Sequence, residues 1–152
     1  MAQQAIRTFK PSTKKRPTGL FARLGLGSNA RTDVVASIRA GLAVDVVDKL
    51  TEELDIPQST LLNLIDLPSA TFSRRRKTKR LTPHESDRVY RIATVFRAAV
   101  QLFEGDPGAA RRWLSEPAKS LGGNSPLEHI DTEAGADEVQ DLIGRIEHGV
   151  IT

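Results

Sequence analysis

The run Thr82, Pro83, His84, Glu85 constrains this chain more than any other stretch. A threonine hydroxyl can accept the backbone N–H three residues on, and a glutamate at that position can reach back to the threonine N–H. Proline at the first helical position loses no hydrogen bond. Together these residues commit the chain to start a helix. Behind them Val89, Ile92, Ala93, Phe96, Ala99, Val100 and Phe103 recur at spacings of three and four up to Gly105, which is one apolar stripe along a long helix. Arg88, Arg91 and Arg97 lie off that stripe. A helix of this length, set in the middle of the chain, is expected to serve both halves as a shared spine.

The flanking sequence is helical as well. From Thr32 the spacing of Val34 or Val35, Ile38 and Leu42 predicts a helix stopping near Gly41, and Val44, Val47, Leu50 and Leu54 form the stripe of a second. Ile56 and Pro57 open a third, with Pro57 in its first turn and Leu61, Leu64 and Ile65 on its apolar side. After the spine, Asp106 and Pro107 start a short helix carrying Ala109, Ala110, Trp113 and Leu114. Ser125, Pro126 and Glu128 repeat the capping box ahead of Leu127 and Ile130. A last helix ending at Gly149 turns Val139, Leu142, Ile143 and Ile146 inward. No segment alternates as a strand does, and no repeat or low-complexity tract is present. The fold class is all-α: an N-terminal helix-turn-helix-like domain joined by a long spine helix to a small helical module. The expected division is a disordered basic tail over residues 1–18, a helical domain over 19–80 and a second over 81–152.

Composition narrows the function. With 152 residues, 39% of them apolar, the chain can bury a modest core in each half. It has no cysteine, so disulfides, thiolate nucleophiles and thiolate metal sites are excluded together. No window reaches the roughly 18 to 20 apolar residues of a membrane span, and no signal-peptide run follows the basic N-terminus. A cytoplasmic protein with no membrane contact is expected. His84, His129 and His148 stand far apart and pair with no second ligand at helical spacing, so no metal is expected. Gly25 to Ala30 match a loose dinucleotide pattern but lack the strand that would aim it. Without a nucleophile elbow, phosphate loop or paired carboxylates, the chain reads as a binding protein with no cofactor rather than an enzyme.

The formal net charge of +3 conceals an asymmetry. Residues 1–80 carry 15 Lys and Arg against 7 Asp and Glu, and residues 81–152 carry 7 against 12. Such halves attract different partners. The basic half concentrates its charge in LPSATFSRRRKTKR, residues 67–80, where six of the last seven residues are cationic. Leu67 and Pro68 end the preceding helix, Ser69 can cap the next, and Phe72 is its only large apolar residue. A short helix anchored by one aromatic, directly after another short helix and a tight turn, is the arrangement of a DNA-reading helix-turn-helix. Cations for phosphates and hydroxyls or arginines for base edges are both at hand. The expected DNA contacts are Ser69, Thr71, Ser73, Arg74, Arg75, Arg76, Lys77, Lys79 and Arg80. An acidic protein or RNA partner fits the basic run too.

The final third carries a set of short motifs: Asp106 with Pro107, RRWL over Arg111 to Leu114, LGG over Leu121 to Gly123, SPL over Ser125 to Leu127, and GRIEHGV over Gly144 to Val150. Trp113, the sole tryptophan, suits either a core or an interface hot spot. As a set, these motifs resemble the toxin-binding domain of Xre/ParS-type antitoxins, and the resemblance extends back to about Leu54. The helix before the basic run, PQSTLLNLIDL, is sparser than a helix-turn-helix repressor usually shows. The resemblance implies a helix-turn-helix-like front part and a back part that covers the active site of a RES-domain toxin, an NAD-consuming enzyme. It implies toxin contacts at Arg111, Arg112, Trp113, Leu127, Arg145, Glu147, His148 and Val150. It also implies operator DNA as a partner, a homodimer and a higher-order toxin–antitoxin complex. A different class of reading makes the chain a stand-alone transcription regulator whose C-terminal module only dimerises.

Overall fold

A computed structural model describes residues 19–26 and 31–149. The expected basic tail, residues 27–30 of the Gly25 to Ala30 run and Val150 lie outside the described residues. The described residues form nine α-helices in the order α1 (Leu20–Arg23), α2 (Arg31–Ala40), α3 (Asp45–Leu54), α4 (Gln58–Leu64), α5 (Ser69–Thr78), α6 (Pro83–Leu102), α7 (Pro107–Ser115), α8 (Pro126–His129) and α9 (Glu133–Glu147). A 3₁₀ turn at Lys119–Leu121 precedes α8. The all-α architecture holds, with no strand among the described residues.

The spine begins as its sequence requires. Thr82 Oγ1 accepts from Glu85 N at 3.2 Å, Glu85 Oε2 accepts from Thr82 N at 2.9 Å, and Pro83 occupies the first helical position. Twenty residues at about 1.5 Å each make α6 roughly 30 Å long. It buries Val89, Ile92, Ala93, Val95, Phe96 and Ala99. Helices α1, α2 and α3 pack on it from the N-terminal side of the sequence, and α7 and α9 from the C-terminal side. One continuous core results, running from Leu20 to Ile143. Short α1 is clasped to the spine through rings: Phe21 packs 5.6 Å from Tyr90, and the Arg97 guanidinium sits 3.9 Å above Phe21. A cation over an aromatic face is attracted by the ring quadrupole, so Arg97, off the apolar stripe, still serves packing.

A second device closes the N-terminal domain. The link between α2 and α3 runs beside the link between α5 and α6: Val44 N donates to Lys79 O at 3.0 Å and Leu81 N to Leu42 O at 2.9 Å, around an isolated bridge of Ala43 with Arg80. Ser86 Oγ, fully buried in α6, accepts from Leu42 N at 2.8 Å. Gly41 makes this approach possible. Its φ of +85° is a left-handed conformation, and a Cβ there would lie 2.2 Å from Leu81 O. Gly135 plays the same part in the other module, where a Cβ would lie within 1.8 Å of His129 O and would push α9 off the end of α8.

Several local expectations are corrected by packing. Of the two candidates on α2, Val34 is buried and Val35 is 46% exposed; Leu42 lies past the helix, in the clasp. Pro57 is the N-cap of α4 rather than a first-turn residue, and Pro68 rather than Ser69 is the N-cap of α5, without a side-chain capping bond. In both, an extended residue before the helix is supplied by a proline whose φ is already fixed. Ile146 was expected inward with Val139 and Ile143 but is 42% exposed, because α9 runs past the end of the surface it packs on. The caps of α7, α8 and α9 are Asp106, Ser125 and Thr132, each accepting from a backbone N–H three residues on at 3.0 to 3.2 Å.

Gly41→Ala and Gly135→Ala are each expected to destabilise the protein by about 2 kcal/mol or more, through φ strain in the first and backbone overlap in both. Gly144, whose Cβ would meet nothing within 4 Å, serves as the control: Gly144→Ala should stabilise by up to ~1 kcal/mol, as helix propensity dictates. Urea midpoints at unchanged m-value would check all three.

Candidate functional site

Two surfaces concern function, one at α5 and one on the C-terminal module. Helix α4 buries Leu61, Leu62 and Leu64, and the chain turns through Asp66, in a left-handed conformation with φ 50°, and buried Leu67 into Pro68. Helix α5 then docks by a single large side chain, Phe72, which is buried. Arg88 of α6 donates to Ile65 O at 3.4 Å and so ties this turn to the spine. Lys79, left-handed at φ 62°, ends α5 and hands the chain to the clasp.

The cations of this stretch separate into two groups. Arg75 grips Glu85 in a fork, with Nε and Nη2 donating to the carboxylate at 2.9 to 3.0 Å. Arg76 forks onto Asp48 of α3 at 2.8 and 3.1 Å while its guanidinium lies 4.5 Å over the Phe72 ring. Asp48 also accepts from Gln58 Nε2 at 2.8 Å. Arg80 donates to Gly41 O at 2.9 Å. Against these, Arg74 is exposed and makes one bond within its own helix, Nη2 to Thr71 Oγ1 at 3.2 Å. Ser69, Ser73, Lys77 and Lys79 are exposed. Thus the structure brings the nine expected DNA residues onto one short helix and its end, but three of the arginines hold the domain together. Asp48 and Glu85 were not read from the sequence as partners of these arginines. Glu85 was visible there as a capping residue only, and the fold, not the spacing, decides which arginine reaches it.

Glu85 is the electrostatic centre of this arrangement. Burial pushes its carboxyl up, yet the hydrogen bonds from Arg75 and from Thr82 outweigh burial and hold it below the usual carboxylate range. The same hydrogen bond, against some desolvation, raises Arg75 above its ordinary value.

On the C-terminal module the RRWL segment faces three ways. Arg111, half-buried, donates from Nε to Glu53 O at 2.7 Å, at the end of α3, while the Glu53 carboxylate takes Arg23 at 2.6 and 3.1 Å. Arg112 is exposed. Trp113 is half-buried and tilts against Phe103 with ring centroids 6.3 Å apart. Leu127 is half-buried on α8, and Arg145, Glu147 and His148 are exposed at the end of α9; Val150 lies outside the described residues. His129 meets Glu138 at 2.5 Å. Among the described residues no group of three or more His, Cys, Asp or Glu is placed to hold a metal, and no helix is long and apolar enough to cross a membrane.

A helix-turn-helix at one end of a spine and a compact helical module at the other define a two-domain regulatory binding protein. Two family models match successive parts of the chain. Residues 33–93 match the antitoxin Xre-like helix-turn-helix domain, and residues 98–149 match the antitoxin Xre/MbcA/ParS C-terminal toxin-binding domain. An Antitoxin Xre of Yersinia enterocolitica serotype O:8 is 42% identical over 148 residues, covering 97% of this chain and all of the relative. Another Antitoxin Xre, from Photorhabdus laumondii subsp. laumondii, is 35% identical over the same shares. A more distant relative from Sphingobium sp. strain YBL2, named Prs ADP-ribosylating antitoxin, is 23% identical over 95% of this chain and 96% of its own length. The chain belongs to the Xre antitoxin family. It is thus a regulatory antitoxin rather than an enzyme.

Because Glu85 is held below its ordinary pKa, its contribution is fully present above the unfolded value of about 4.3 and is lost as pH falls through the folded one. Glu85→Gln should cost on the order of 2 kcal/mol at pH 7 by weakening charged hydrogen bonds. The gap between wild type and variant in urea midpoint should then narrow as the pH is lowered below about 4. A gap that stays constant with pH would assign the loss to packing instead.

Proposed function

We propose that this antitoxin neutralises a RES-domain toxin, an NAD-consuming enzyme, by laying its C-terminal module over the entrance of the toxin's active site, and that it represses its own operon by binding operator DNA through α5. The observation that carries the reading is the near full-length likeness to proteins named Antitoxin Xre, spanning the helix-turn-helix and the toxin-binding domain together. The Sphingobium relative's name speaks of ADP-ribosylation, a transfer for which NAD is the usual donor. The reading divides the chain into a DNA-binding part, 19–80, and a toxin-binding part, 81–152, with α6 packed against both. It sets the protein in the cytoplasm as a homodimer within a larger toxin–antitoxin complex.

In this proposal the toxin face comprises Arg112, Trp113, Leu127, Arg145, Glu147, His148 and Val150, with Arg111 supporting α7 from behind through Glu53. The end of α9 supplies the inhibitory contact. Ile146 is exposed beside charged Arg145, Glu147 and His148, so a toxin cleft would gain apolar area and charged hydrogen bonds from the same turn. Truncating one partner of a desolvated charged pair costs about 2 to 5 kcal/mol. Deleting residues 147–152 should therefore release NAD consumption by the copurified complex, while the rest of the module still retains the toxin. A truncated antitoxin that stays bound over a silent toxin would put inhibition elsewhere on the surface.

Salt dependence tests the DNA half. Phosphate contacts release counterions, so the logarithm of affinity should fall linearly with the logarithm of salt concentration. Lys77→Ala, at an exposed site, should reduce that slope by about 1 and weaken all duplexes alike, measured by mobility shift over a salt series.

A further inference from the structure

Helix α5 turns by about 100° per residue. With Phe72 aimed at the core, Arg75 and Arg76 fall on either side of it one turn later, where each meets a carboxylate of the same domain. Ala70, Arg74 and Lys77 fall opposite Phe72, and Ser73 beside them. All four are exposed, whereas Thr71 and Arg75 are half-buried; Arg76 is exposed too but is held by Asp48 and the Phe72 ring. The face opposite Phe72 is therefore one small apolar residue, one hydroxyl, one arginine and one lysine, with Lys79 exposed just past the helix end.

Within that face the residues are unequal. In a helix-turn-helix the N-terminal part of the second helix lies nearest the base edges, which favours positions 70, 73 and 74 over 77. The methyl of Ala70 lets the backbone come close. Arg74 is the one donor of the three with a planar fork, and a fork matches the O6 and N7 acceptors of guanine. Its bond to Thr71 Oγ1 at 3.2 Å lays the guanidinium along the outer face and uses only one of five N–H donors.

We infer that Arg74 reads a guanine in the major groove of the operator half-site, with Ala70 and Ser73 against the neighbouring bases and Lys77 on the flanking phosphate, while Arg75 and Arg76 position α5 and touch no base. This rests on the DNA-binding reading above and goes beyond it by assigning the base and the side chain. Arg75 cannot reach the groove without releasing Glu85 and leaving that buried carboxylate without its charged partner. Arg76 would have to leave both Asp48 and the Phe72 ring.

The test is selection of binding sites from a random duplex library by the full-length protein and by Arg74→Ala and Arg76→Ala, each checked for native helicity by circular dichroism. Arg74→Ala removes no buried contact and places the best helix former on an exposed position. Wild type should enrich a motif with a fixed guanine. Arg74→Ala should lose the preference at that one position and bind the wild-type site roughly tenfold or more weakly. Arg76→Ala should keep the guanine. Replacing that guanine by 7-deazaguanine, which lacks the N7 acceptor, should weaken wild type and leave Arg74→Ala unchanged. If Arg74→Ala selects the same guanine, or Arg76→Ala loses it, the assignment is overturned while DNA binding stands. If wild type enriches no motif at all, sequence-specific DNA binding falls and this inference falls with it.

Discussion

The carboxylate of Glu85 is the point on which the N-terminal domain depends. One oxygen accepts from the backbone of Thr82, completing the capping box that starts α6, and both accept from Arg75 of α5. Two helices at the outer edge of the domain are thus fixed by one side chain. The spine cannot start elsewhere without losing the grip on α5, and α5 cannot rotate without breaking the Arg75–Glu85 fork. Near this point the clasp of residues 41–44 with 79–81 fixes where the chain enters and leaves. Phe72 alone would anchor a ten-residue helix of low apolar content poorly, since most helical stability in proteins comes from a packed face. The forked arginines supply the rest.

Helix α3 extends this arrangement to the other module. Asp48 near its start holds Arg76 of α5, and Glu53 near its end holds Arg111 of α7 by its carbonyl and Arg23 of α1 by its carboxylate. The helix that reads DNA in our proposal and the helix carrying Trp113 are therefore braced by opposite ends of one ten-residue element. Both modules also share the core along α6. The consequence is mechanical: a change in the seating of α7 bears on α3 directly, without passing through a flexible linker.

What was legible in the sequence was local chemistry. Capping boxes at Thr82 and Ser125, the Asp106 cap and the stripe from Val89 to Ala99 act within one or two turns, and all stand as read. The fold class followed, as did the role of Phe72. What was not legible depended on distant residues. Nothing near Arg75 or Arg76 announces Glu85 or Asp48, which lie 10 and 28 positions away. Nothing near Ile146 tells that the surface under α9 has ended. Pro57 was read by its usual first-turn preference and Pro68 as the end of the preceding helix, whereas each supplies the extended residue that caps the next helix. The motifs of the final third were legible as a family likeness and not as geometry, since RRWL turned out to send one arginine inward and its neighbour out.

Charge counted along the chain overstates what a polyanion meets. The first 80 residues carry eight more cations than anions, yet Arg23, Arg75 and Arg76 are matched to carboxylates and Arg80 to a carbonyl within the domain. Side-chain type matters to the ties between helices. Each of these internal bonds is made by an arginine, and the carboxylate partners are held by two donors at once. A lysine offers a point charge on a flexible stem and could hold neither Glu85 nor Asp48 in that way. Lys77 and Lys79, both exposed, remain available to a diffuse field of phosphates, for which a hydrated point charge is sufficient. The arginine-rich run is in this sense two structures written over one another, an internal frame and an outward face, and α5 keeps them apart by the turn of the helix alone.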